Sequence, residues 1–179
     1  MIVSLPTDGM NTIVPLRPDV AVAWKVMPEF LERVKKFAAK YTPEADVGRL
    51  LISIVKSFPH MAPYFGFALI GNDSGKIVGH SLISLEREYE DANPWVTIHH
   101  VESDVPLSEA IRSQFVDMVE EYAQAFGAKE LRLLALSQAH ARYYRRWGFG
   151  DERIWMRREL EDKGGTSNEF SCHDYSKDS

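Results

Sequence analysis

Cysteine is nearly absent: the chain has one, Cys172, so no disulfide can close within it and burial must hold the fold. A basic excess is absent too. Lysine and arginine number 21 against 26 acids, a formal net charge of -5, which is the wrong balance for nucleic acid or an anionic membrane surface as the main partner. No apolar run approaches the roughly 20 residues of a bilayer span, because charge or glycine interrupts each one. The opening MIVSLPTDGM has neither the cationic start nor the long apolar stretch of a signal peptide. These absences together predict a cytoplasmic protein with no nucleic-acid and no membrane partner. Internal repeats are missing as well. His60, His80, His140 and His173 fall at no ligand spacing with a nearby acid, so no metal site is expected.

What is present suits one globular domain. The chain has 179 residues, 45% of them hydrophobic, enough to bury a sizeable core. The expected division is a single domain over 1–160 and a polar, acidic tail over 161–179. TIVPL (12–16) reads as a short strand. Asp19 is placed to cap a helix that Pro28 should kink or restart. Phe30, Leu31, Val34, Phe37, Ala38 and Tyr41 then recur at three and four, the stripe of a core-facing helix. Thr42-Pro43 looks like the start of a second helix carrying Leu50, Leu51, Ile54, Val55 and Phe58.

The period then changes. YFGFALI (64–70) and KIVGHSLISL (76–85) flank a Gly-Asn-Asp-Ser-Gly turn, which predicts a hairpin. WVTIHHVES (95–103) follows as a third strand. Val96 and Ile98 share a face but Val101 is out of phase with them, so a bulge near His99 and His100 would reconcile all three. Ile111, Phe115, Val119, Tyr122 and Phe126 mark a long helix closed by Gly127, with Ser108 as a candidate cap. LRLLAL (131–136) suits a buried strand. Ser137 would cap a last helix ending at Gly148, and RIWMRREL (153–160) alternates like a final strand. The two late helices, 107–126 and 138–147, are expected on opposite faces of the sheet, with Trp147 and Phe149 largely buried against it.

This order, together with SQAHARYYRRWGF (137–149), resembles the GNAT superfamily of acyl-CoA-dependent N-acyltransferases. The resemblance implies an α/β (α+β) fold: a mixed, mostly antiparallel sheet with helices on both faces and a split between the fourth and fifth strands. It also implies transfer of an acetyl group from acetyl-CoA to the amine of a small molecule or protein. Tyr144 falls on the family's tyrosine, a phenol able to protonate the departing thiolate, and Gly148-Phe149 on its terminator. The His99-His100 bulge corresponds to the place where the family admits the pantetheine arm. On the coenzyme side the implied residues are Val101, Ser108, Ala110, Arg112, Ser137 and Arg142.

Acyl transfer needs a neutral amine, a polarised carbonyl and a protonated leaving group. His99, His100 and Glu86 are the candidate bases. Neighbouring histidines on a regular strand face opposite ways, so only one should reach a cleft. Arg142, Arg145 and Arg146 could meet a coenzyme phosphate, or simply form the charged outer face of their helix. One departure from the family pattern is plain in the residues. Members carry a glycine-rich turn before the long helix, whose bare N–H groups and helix dipole grip pyrophosphate. Here the turn is Glu102-Ser103-Asp104-Val105-Pro106-Leu107-Ser108-Glu109-Ala110. It lacks glycine, Pro106 has no N–H, and Asp104 and Glu109 add negative charge. The alternative expectation is therefore a noncatalytic protein of this fold, binding protein partners in a larger assembly such as a phage virion.

Overall fold

The computed structural model describes residues 5–87, 94–133 and 138–150. Its elements in chain order are β1 (Asn11–Pro15), α1 (Ala21–Tyr41), α2 (Val47–Ser57), β2 (Tyr64–Gly71), β3 (Ile77–Glu86), β4 (Trp95–Ser103), α3 (Glu109–Ala125), β5 (Glu130–Leu133) and α4 (Gln138–Arg145). The strands form one sheet in the order β1-β2-β3-β4-β5. Neighbours are antiparallel except β4 and β5, which run parallel because the chain crosses over through α3. This is the expected mixed, mostly antiparallel sheet. Helices cover both faces: α1 and α2 pack Phe30, Val34, Ile54 and Phe58 on one, α3 packs Ile111, Phe115 and Val119 on the other. No helix among the described residues is long and apolar enough to cross a membrane.

Several local expectations hold for the stated reasons. The β2–β3 hairpin turns through Gly75 at φ +64°, and α3 is followed by Gly127 at φ +72°, both in the left-handed region that favours glycine. Ser108 caps α3, its Oγ accepting the Ile111 N–H at 3.2 Å. The bulge is real. Leu82 pairs with His100 and Ile83 with Ile98, leaving His99 as the extra residue, and Val96, Ile98 and Val101 all join the α3-side cluster.

Other expectations are overturned. Asp19 does not cap α1; its carboxylate pairs with Arg17 at 2.7 Å, and Val20 stands at the cap. Pro28 does not break the helix, because the buried stripe Ala23, Val26, Phe30, Val34 and Ala38 continues on both sides of it. Thr42 ends α1 instead of starting α2: its N–H and hydroxyl both reach the Ala38 carbonyl. Asp46, whose Oδ1 accepts the Arg49 N–H at 2.9 Å, caps α2. The end of α4 is not opposite α3. Gly148, at φ +87°, turns the chain so that Trp147 and Phe149 reach the α3 cluster, with Trp147 6.0 Å from the Phe115 ring. Both aromatics are half-buried rather than fully enclosed. The β4–β5 ladder runs from Trp95↔Glu130 to Ile98↔Leu133. Residues 134–136, where the expected split would be seen, lie outside the described residues, as do Ser137, the strand at 153–160 and the tail from 161.

Candidate active site

A bulge adds one residue and so shifts side-chain parity, which decides the layout of β4. The expectation that only one of the paired histidines reaches a cleft fails for this reason. His99 and His100 both face α1 and α2, and both line one cavity of ≈ 190 Å³ between these helices and the sheet.

His99 sits in a chain of hydrogen bonds. Its Nε2 is 2.8 Å from Ser84 Oγ, and the Ser84 hydroxyl donates to Glu86 Oε1 at 2.7 Å. Since Ser84 spends its proton on the carboxylate, its oxygen accepts from His99, which fixes the proton on Nε2 and leaves Nδ1 with the lone pair. One edge of His99 remains exposed, yet the packing around the rest of the ring lowers its pKa, with Glu86 opposing the shift. His99 is thus neutral at pH 7. Of the three candidate bases, the structure links His99 to Glu86 and leaves His100 apart. Ser84 was missed by sequence reading; as the i, i−2 neighbour of Glu86 it shares a strand face, and that alternation was the only available signal.

His100 is buried, stacked on Phe37 with ring centroids 4.0 Å apart, and set edge-on to His80 at 4.7 Å. Burial first, and then the nearby His80 and His99, hold its pKa well below the ordinary value. Its Nε2 is buried without a hydrogen-bond partner. His80 is lowered to about 4, mainly by burial and further by Arg33. Its 3.7 Å approach to Glu102 is therefore a contact of a neutral ring.

On the other face lie the coenzyme-side candidates. Val101 packs on the α3 cluster and lines a small cavity of ≈ 40 Å³ with Leu107, Ile111, Arg112 and Trp147. A wider groove of ≈ 380 Å³ runs between α3 and the end of α4, where Arg112 and Arg146 face Glu109 and Asp117. Ala110 and Arg142 are exposed, and Tyr144 is half-buried with its ring 5.6 Å from Trp147. The α3 N-terminus holds an internal acid. Asp8 Oδ2 accepts from Ser108 Oγ at 2.6 Å, and Asp8 Oδ1 accepts the N–H groups of Met10 and Asn11. Asp104 is compensated, not loose, because Arg33 of α1 pairs with it at 2.8 Å. The groove sets its two arginines against two acids, and the turn at 104–108 offers fewer backbone donors than a glycine turn.

No protein-family model matches the chain. No curated protein matches it either. Solved structures do. A predicted acetyltransferase from Clostridium acetobutylicum, solved with acetyl-CoA, aligns with TM-score 0.61 at 13% identity, covering 84% of this chain and 97% of that one. An aminoglycoside acetyltransferase from an uncultured soil metagenomic sample, in complex with sisomicin, aligns with TM-score 0.55 at 16% identity over 86% of this chain and 99% of its own. An acetyltransferase from Trypanosoma brucei gives 0.53 at 14% over 84% and 99%. At such identities the likeness establishes the fold alone, the one these acetyltransferases share.

Proposed function

We propose that the chain transfers an acetyl group from acetyl-CoA to an amine, with His99 as the base. The observation that carries this reading is the His99–Ser84–Glu86 chain on the bulge of β4, a neutral imidazole held in one tautomer by a carboxylate acting through a hydroxyl. An alkyl amine resembles lysine, with a pKa near 10.4, and is an ammonium at pH 7; it must lose a proton before it can attack. His99 Nδ1 takes that proton before attack and passes it to solvent, then accepts the second nitrogen proton as the added amine becomes the amide. Glu86, opposing the burial of His99, stabilises the imidazolium that results. Tyr144 hands a proton to the thiolate as the C–S bond breaks, a role that rests on its match to the family tyrosine. Acetyl-CoA, when bound, supplies the acetyl group already activated as a thioester. Arg112 and Arg146 line the groove that would meet its phosphates, with Val101 in the smaller cavity nearer the arm.

The reading is tested by titrating the purified protein with acetyl-CoA in a calorimeter and following thiol release with an amine present. Binding followed by His99-dependent thiol release supports it. Failure to bind at millimolar concentration removes it and leaves the noncatalytic alternative.

A further inference from the structure

We infer that the acceptor is a monoamine carried on a single aromatic ring or an apolar body of similar size, bound in the cavity between α1, the start of α2 and the β3–β4 bulge. The inference rests on the acetyl-transfer reading for the fate of the amine, but the pocket's chemistry is independent of it. Three features carry it.

The lining comes first. Phe37, Tyr41, Leu50, Tyr64 and Leu82 form the walls, and only His99 and His100 bring ring nitrogens to them. No acid, lysine or arginine is among the described residues lining it. A polyamine or aminoglycoside would have to leave several charges unpaired against these walls, and each stranded charge costs several kcal/mol. A monoamine avoids this, since its one charge leaves as the proton that His99 accepts.

Size comes next. A cavity of ≈ 190 Å³ falls below the roughly 300–1,000 Å³ typical of drug-sized ligands. An engineered cavity of about 150 Å³ takes a benzene, so this one holds a ring and a short chain.

The aromatic geometry is the third. Phe37 is stacked on His100 and tilted against Tyr41, with centroids 4.0 and 4.6 Å apart, so one wall is a prebuilt aromatic surface. The Tyr64 ring lies 6.1 Å from His99 and brings a second aromatic surface beside the base.

The test uses the full-length protein and three probes: 2-phenylethylamine, spermidine and sisomicin. Acetyl-CoA-dependent thiol release gives kcat and KM for each, and calorimetry gives the affinity for 2-phenylethylamine without acetyl-CoA. The expected result is a kcat/KM for 2-phenylethylamine at least tenfold above either polycation. Thr42→Trp places a large side chain at the cavity mouth from an exposed position, so the fold should survive it. It should raise KM for 2-phenylethylamine at least tenfold while kcat changes little.

A preference for spermidine or sisomicin, or a KM indifferent to Thr42→Trp, overturns the inference while acetyl transfer stands. Binding of 2-phenylethylamine that Thr42→Trp weakens, with no thiol release from any amine, supports the pocket assignment and removes acetyl transfer. Neither binding nor turnover of 2-phenylethylamine overturns the inference outright.

Discussion

Asp8 and Ser108 lie 100 residues apart in sequence and touch at 2.6 Å, carboxylate to hydroxyl, at the first turn of α3. The contact draws the acid's pKa down and sets a fixed negative charge beside the helix end that would otherwise attract an anion. Asp8→Asn should therefore tighten acetyl-CoA binding about fivefold, the equivalent of roughly 1 kcal/mol of relieved repulsion. Calorimetric titration of both proteins reads this directly, and an unchanged Kd would detach Asp8 from the donor side.

The base assignment makes a prediction about pH. His99 must be neutral to act, and its lowered pKa keeps it so below the usual imidazole range. The acid limb of kcat/KM should accordingly fall below pH 6.5. Glu86 raises the His99 pKa, so Glu86→Gln and Ser84→Ala should move that limb to still lower pH as they reduce the rate. His99→Gln should cost on the order of a hundredfold or more. A limb that stays in place in both relay variants would mean that the hydrogen-bond chain does not tune the base.

His80 and His100 predict how stability follows pH. Both are buried and held neutral in the folded state, His80 down to about 4, whereas in the unfolded chain they titrate near 6.5. Between those values the unfolded state binds more protons, so stability is full above about pH 6.5 and is lost as pH falls toward 4. The slope reaches about 1.4 kcal/mol per pH unit for each histidine. Urea denaturation at pH 7.5 and 5 should show the loss. His80→Phe, which cannot charge, should remove its share of the loss and leave the part that His99 and His100 contribute.

Packing gives a fourth prediction. A methyl added at Gly66 would lie 2.6 Å from Phe30 Cζ and 2.8 Å from Leu16 Cδ1, and Phe30 is fully buried under α1. Gly66→Ala should destabilise the protein by about 1–3 kcal/mol through overpacking, measured by chemical denaturation. A neutral or stabilising effect would show that α1 can move off the sheet at no cost.

The sequence by itself determined the features that depend on near neighbours. The β2–β3 turn, the Ser108 cap and the glycines after α3 and α4 are each set by one residue's conformational or hydrogen-bonding preference. The bulge was legible as well, because Val96, Ile98 and Val101 could share the α3 face only if an extra residue intervened. Tertiary structure decided what those features do. Helix α1 runs through Pro28 because a continuous buried stripe outweighs one missing N–H, and Asp46 captures the α2 cap from Thr42. His99 meets Ser84, Arg33 meets Asp104 and Asp8 meets Ser108 only once strand register and helix packing bring distant segments together. No periodicity encodes such pairs, since each contact is fixed by the relative placement of whole elements. The candidate base, the charge at the α3 N-terminus and the aromatic cavity therefore belong to the assembled fold, although every residue in them was visible from the start.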